Sequence, residues 1–156
     1  MAPASNMRTT LFSAKAEYAC IAMLELAARY NELQPVPLKL IYEPHGISDR
    51  FLVQILLQLK GAGLVVSTRG ASGGYQLARP PEEISLAMII NVIDRQETAE
   101  SKDGKRETTL NSTPLVHTIR SLWKSVAAAQ QRILEQTTLT DLLRRSQENF
   151  ALTYAI

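Results

Sequence analysis

Between Tyr18 and Ala28 the chain is apolar on almost every side, with Glu25 the main exception, and a helix without a polar face belongs at the centre of a core. Ser13 stands where an N-cap would open that helix, and the pattern carries it to about Tyr30. Val36 to Glu43 has the apolar spacing of a shorter helix, through Leu38, Ile41 and Tyr42, and Pro44-His45-Gly46 breaks it. Ser48 is placed to cap the next helix, which runs from Asp49 to about Lys60. There Leu52, Ile55, Leu56 and Leu59 recur at three- and four-residue steps, so one stripe is buried while Arg50, Val53, Gln54, Leu57 and Gln58 face away. Gly61 and Gly63 stop it.

The period then changes. Val65 and Val66 before, and Tyr75 and Leu77 after, have strand character around the segment Ser67-Thr68-Arg69-Gly70-Ala71-Ser72-Gly73-Gly74, whose glycines supply the freedom a hairpin tip needs. A bare hairpin gains little from burial. One with Arg69 near its tip and Arg79 at its foot makes most sense pressed against something anionic. Helix, Gly-containing turn, helix and basic hairpin together describe a winged helix-turn-helix, whose second helix enters the major groove of DNA.

Further along, Ser85 is placed to cap a short helix whose Leu86, Ile89, Ile90 and Ile93 pack back onto this unit. Arg95 to Thr113 is polar, charged and free of periodicity, and is expected to be a flexible loop. Pro114 opens the longest helix, where Leu115, Ile119, Leu122, Val126, Ala129 and Ile133 alternate four- and three-residue steps, the a/d seam of a coiled coil. A second copy of the same helix is the simplest partner, giving a two-fold dimer whose reading helices lie about 34 Å apart. The rival arrangement is packing within one chain, with Trp123 buried on one flank. Thr138 and Asp141 resemble a helix start for Leu139 to Ser146, and the apolar tail Phe150 to Ile156 is expected to dock, at a place the sequence does not specify.

The fold class is thus mainly α with a small β-hairpin wing. Residues 1–10 form a disordered leader, with Met7 an alternative start; 11–94 form the winged helix-turn-helix domain; 95–113 are the loop; 114–156 are the dimerisation helix and tail. The 156 residues, nearly half apolar, suffice for a core, and a net charge of +2 is too small to argue for DNA by itself. Its distribution says more, since Gly46 to Pro80 holds Arg50, Lys60, Arg69 and Arg79 against Asp49 alone, whereas Glu82 to Glu107 is rich in acids. With no membrane-length apolar run and no signal-peptide core near the start, a cytoplasmic location is expected.

From Leu11 to about Asp94 the sequence resembles the Rrf-two family of winged-helix repressors, the group typified by IscR, NsrR and CymR. The resemblance rests on Lys15-Ala16-Glu17-Tyr18-Ala19, Gly46-Ile47-Ser48 with Phe51-Leu52 and Gln54-Ile55-Leu56, Leu59-Lys60, Gly63-Leu64-Val65, Ser67-Thr68-Arg69-Gly70, Gly73-Gly74-Tyr75 and Leu77-Ala78-Arg79-Pro80. It implies a homodimeric bacterial transcription regulator, a repressor by the family's habit, on an operator with dyad symmetry. Family members that hold an iron–sulfur cluster place three cysteines in the loop that corresponds to Arg95–Thr113, and this loop has none. The single cysteine, Cys20, lies in the apolar first helix and reads as a small core residue, while His117 stands alone near the loop as a surface or interface residue. No cofactor is expected. An iron–sulfur sensor whose cysteines had been replaced, for example at Ala99, Ser101 or Ser112, would give the same pattern, and a small-molecule or protein effector is compatible with it.

The candidate DNA-binding residues are Ser48, Arg50, Gln54, Arg69, Gly70, Lys15 and Lys60. Ser48 caps the reading helix, Arg50 and Gln54 reach base edges or backbone, Arg69 borders the minor groove and Gly70 shapes the wing. Lys15, with Tyr18, approaches phosphates from the first helix, and Lys60 adds charge beside the wing. Tyr75 reads as packing at the wing base. Departures from the family lie here too: Tyr42 stands where the family usually has a small residue, Pro44 occupies a normally helical position and ends the helix before the turn early, and Val53 puts an apolar group on the reading face, able to meet a thymine methyl but not to hydrogen-bond a base. An enzyme is disfavoured, because the wing glycines lack a P-loop's lysine and hydroxyl, and Cys20, His45 and His117 have no nucleophile spacing. A winged helix used solely for protein contacts is the competing class.

Overall fold

The computed structural model describes residues 12–100 and 110–154, so the expected leader, Met7, Ser101 and the last two residues lie outside the described residues. Helix α1 (Ala14–Ala28) opens where Ser13 accepts from the Ala16 N–H at 3.2 Å, and it buries Ala16, Ala19, Ala22, Met23, Leu26 and Ala27. Its alanines let neighbours approach from several sides, which is how one helix serves as the axis of the core. Helix α2 (Leu38–Tyr42) ends just before Pro44, and helix α3 (Asp49–Gly61) follows a turn in which Gly46 adopts φ +66°. The antiparallel wing of β1 (Val65–Thr68) and β2 (Gly74–Leu77) pairs Val65 with Leu77 and Thr68 with Gly74.

Helix α4 (Leu86–Glu100) begins where Ser85 Oγ accepts from the Met88 N–H, and Ile89, Ile90 and Ile93 are buried as expected. It continues past Asp94, so residues 95–100 are helical rather than part of the expected loop. Apart from Ala99 those six are polar, and they propagate a helix already nucleated upstream while leaving no apolar stripe to announce it. Helix α5 (Pro114–Gln136) is capped by Thr113, which accepts from the Val116 N–H. Helix α6 (Leu139–Tyr154) begins with a reciprocal cap, the Asp141 carboxylate accepting from the Thr138 N–H at 3.0 Å and the Thr138 hydroxyl from the Asp141 N–H at 3.2 Å. These bonds, the backbone one first, hold the Asp141 carboxyl below its ordinary pKa. The helix runs beyond the expected Ser146, and within it Phe150 and Leu152 are exposed.

The core is continuous from the winged helix-turn-helix into the carboxy-terminal half, with Leu134 and Leu139 joining Ile84, Ile89 and Ile93. Ser85 and Thr138 form an antiparallel bridge, the Leu86 N–H donating to Thr137 O at 2.9 Å and the Leu139 N–H to Ile84 O at 3.0 Å. The α5–α6 joint is therefore fastened to the segment that opens α4.

Candidate nucleic-acid interface

On α3 the stripe Leu52, Ile55, Leu56 and Leu59 is fully buried, and that fixes the opposite face: Arg50, Val53, Gln54 and Leu57 are exposed. Gln58 departs from the expected outward set. It is half-buried, and its Oε1 is enclosed without a hydrogen-bond partner among the described residues, because Gln58 sits only one helical step from the buried stripe. Ser48 occupies the N-cap position in extended backbone, yet its side chain makes no cap bond. Asp49 instead accepts from the Arg50 N–H at 2.8 Å, and its charge in the first turn suits the positive end of the helix. The expected capping role of Ser48 is thus not realised, which leaves its exposed hydroxyl available to an external group.

Two contacts fix how α3 is presented. Phe51 meets Tyr18 edge-on, with ring centroids 6.0 Å apart and planes at 85°, so Tyr18 is a half-buried brace between α1 and α3. At the other end Lys60 Nζ donates to Ser67 Oγ at 2.7 Å and ties the helix to the wing. An ammonium has three donors, so Lys60 keeps others for an anion. Lys15, half-buried at the start of α1, shares an open cleft with Gln54, Gln58 and Arg95, so the structure brings the first-helix lysine beside the α3 face.

The wing is held at its base rather than left bare. Val36 and Tyr75 exchange both backbone hydrogen bonds, at 2.8 and 2.9 Å, making a third short rung against the chain entering α2. Tyr75 is half-buried against the core, in keeping with packing at the wing base. A Cβ on Gly74 would lie 2.2 Å from Val36 O, so only glycine lets β2 approach this closely. At the tip Gly70 takes φ +110° and accepts from the Gly73 N–H at 3.0 Å, which exposes Arg69 beside it. Sequence periodicity could not reveal the Val36, Gly74 and Lys60 contacts, because each joins elements that are separate in the chain.

The α5 seam points outward. Leu115 is 82% exposed, Leu122 53% and Ile133 65%, with Ile119, Val126 and Ala129 also exposed, and Trp123 uncovered beside them. Among the described residues nothing covers the seam, which disfavours the rival arrangement of packing within the chain; α5 is anchored through Leu134 near its end. His117 is exposed, its Nε2 2.8 Å from Ser112 Oγ.

Comparison with known proteins gives concordant findings. Residues 12–145 match the family model Rrf2, described as iron-dependent transcriptional regulator. The HTH-type transcriptional regulator IscR of Aliivibrio salmonicida is 37% identical over 131 residues, which cover 84% of this chain and 76% of that protein. Among solved structures, IscR of T. potens superposes with a TM-score of 0.71 at 33% identity, covering 90% of this chain and 91% of the other. CymR, the global cysteine regulator of B. subtilis, gives 0.69 at 34%, covering 85% and 95%. The family's iron raises the question of ligands. Burial, with Glu17 and Asp94 adding to it, pushes the Cys20 thiol up to about 11, away from the thiolate that clusters require. Cys20 is the only cysteine of the chain, so the donor set does not fit a thiolate-held cluster.

Proposed function

Because this chain belongs to the Rrf2 family of transcriptional regulators, we propose that it works as a homodimeric repressor that reads a dyad-symmetric operator with α3 and clamps the flanking backbone with its wing. DNA binding and transcription regulation come with the family. The observation that carries the finer reading is the pairing of an outward basic surface with an outward apolar seam in one rigid core. Arg50 and Gln54 lie one turn apart on the exposed side of α3, Arg69 stands at the wing tip, and the α5 seam supplies the second copy. Lys15 and Lys60 flank that surface, Ser48 offers a hydroxyl to a phosphate, and Gly70 shapes the loop behind Arg69. Control by a thiolate-held cluster finds no support in the donor set, and a small-molecule or protein effector fits better.

Arg69→Ala is expected to weaken operator binding and to reduce the slope of log affinity against log salt by about one, the loss of one cation from the DNA surface. Fluorescence anisotropy across a salt series measures this, and an unchanged slope would remove the wing from the interface. A lack of salt-sensitive binding to any duplex would favour the protein-contact reading instead. Val53 offers a test of base reading. Replacing the thymines of a selected operator half-site one at a time by uracil should cost the wild type about 1 kcal/mol at a single position, and Val53→Ala should abolish that discrimination. If wild type and variant respond alike at every position, Val53 is not read against a methyl group.

A further inference from the structure

The open cleft that brings Lys15 beside α3 has a volume of about 750 Å³, within the range of sites for small metabolites. Lys15 of α1 and Arg95 of α4 supply two cations to its lining, and among the described residues no acid lines it. Asp94, the neighbour of Arg95, accepts from Ser13 Oγ at 3.4 Å instead. Leu57, Ala62 and Val92 give the same cleft an apolar wall, and Leu57 is 69% exposed. An apolar wall beside two cations suits an anion with an apolar body better than a bare phosphodiester. The cleft lining also includes Gln58, whose enclosed Oε1 has no hydrogen-bond partner among the described residues. Buried polar groups are nearly always paired, and rotation of this terminal amide toward the cleft costs its oxygen no bond. A donor arriving from outside would satisfy it.

The place of the cleft on α3 sets what an occupant can do. The helix reads with its first turns, at Arg50, whereas Gln58 and Gly61 belong to its last turn and Ala62 caps it. A Cβ added to Gly61 would meet no atom within 4 Å, so this end of the helix is open. Lys15 and Gln54 belong to both the cleft and the candidate DNA surface. We propose that the cleft is an effector site for a small amphipathic anion, a carboxylate, sulfonate or phosphate on an apolar body, and that its occupancy releases the operator. Lys15 and Arg95 hold the charge, Leu57 and Val92 take the apolar body, and a donor on it satisfies Gln58. An occupant draws Lys15 away from DNA phosphates and crowds Gln54, so the ligand and the operator compete for the same two side chains. By linkage the operator weakens binding of the anion by the same factor.

The inference rests on the operator-binding reading, and a probe that needs no DNA separates the two. The probe is anilinonaphthalene sulfonate, with phenylnaphthylamine as the same apolar body without the charge. Added to the free protein, the sulfonate should shift the backbone amide resonances of Gln58 to Ala62 and of Val92. Lys15→Ala and Arg95→Ala should each weaken its binding roughly threefold, the scale of one partly exposed ion pair, and leave binding of the uncharged body unchanged. Shifts confined to α5, or equal losses for both probes, would overturn the site. In anisotropy with a labelled operator, saturating sulfonate should raise the wild-type Kd by at least about tenfold. Arg95→Ala should keep its operator affinity without the probe and need about three times as much probe for the same release. If this variant instead weakens the operator and lowers the salt slope by about one, the cleft holds a DNA phosphate and the effector role fails. Binding in the cleft with unchanged operator affinity also refutes the release. If the sulfonate occupies the cleft but no duplex binds the protein, the functional reading falls and the anion site stands.

Discussion

Replacing Ile119 and Val126 together by glutamate is expected to yield a folded monomer whose operator affinity is at least about a hundredfold below that of the wild type. Both side chains are large, apolar and roughly half uncovered on α5, and neither belongs to the core that holds the chain together. In a two-fold dimer the seam is met by its own copy, so four apolar side chains leave water at these two positions alone. Burying each contributes on the order of 1.5–3 kcal/mol, and a carboxylate set against the same surface adds a desolvation penalty instead. Dissociation also removes the advantage of a second reading helix already held near its half-site, itself worth roughly 10²–10⁴ in avidity. Sedimentation velocity reads the oligomeric state, and circular dichroism checks that the monomer keeps its helices. A variant that still sediments as a dimer would refute the seam.

Gly74→Ala carries the second large effect. The new methyl would sit 2.2 Å from Val36 O, 2.5 Å from the Val36 carbonyl carbon and 2.9 Å from the Pro37 nitrogen. All three are backbone atoms that cannot swing aside, so β2 must withdraw and the paired Val36–Tyr75 hydrogen bonds are strained or broken. A cost of about 1–3 kcal/mol is the scale of an overpacked site, which corresponds to a fall of several degrees in Tm for a chain of this length. Operator binding should weaken as well, because the wing is no longer seated against the chain that enters α2. Gly61→Ala is the matched control. No atom lies within 4 Å of its added Cβ, and within a helix alanine is preferred to glycine by up to about 1 kcal/mol. Equal losses of Tm in the two variants would argue that glycine flexibility, rather than close approach, is what Gly74 contributes.

The parts of the fold that the residues announced are those set by local or periodic forces. The buried stripe of α3 follows from three- and four-residue spacing, and it fixed which of Arg50, Val53, Gln54 and Leu57 face outward. Helix starts were legible at Ser13, Ser85, Pro114 and Thr138–Asp141, because the signals that open a helix lie close together in the chain. Ser48 failed the same logic because Asp49, one residue later, competes for the first free N–H. Polar continuations escape detection too: residues 95–100 and 147–149 are helical without an apolar stripe to betray them. What no local pattern could show was the cross-linking of distant elements. Glu25 was visible as an anomaly in an apolar helix, but its partner His45 lies twenty residues away and emerges only when α1 and the turn come together.

The backbone bridge between Ser85 and Thr138 bears on how a symmetric pair would measure distance. Had the arm been tethered by a pliant linker, each reading unit could swivel to suit spacers of various lengths. Here two main-chain hydrogen bonds rivet the α5–α6 joint to the reading unit, so a pair built on α5 would behave as a calliper with a set gap. One base pair more or less turns the far half-site by roughly a tenth of a revolution about the duplex axis, and a rivetted calliper has no swivel with which to follow it.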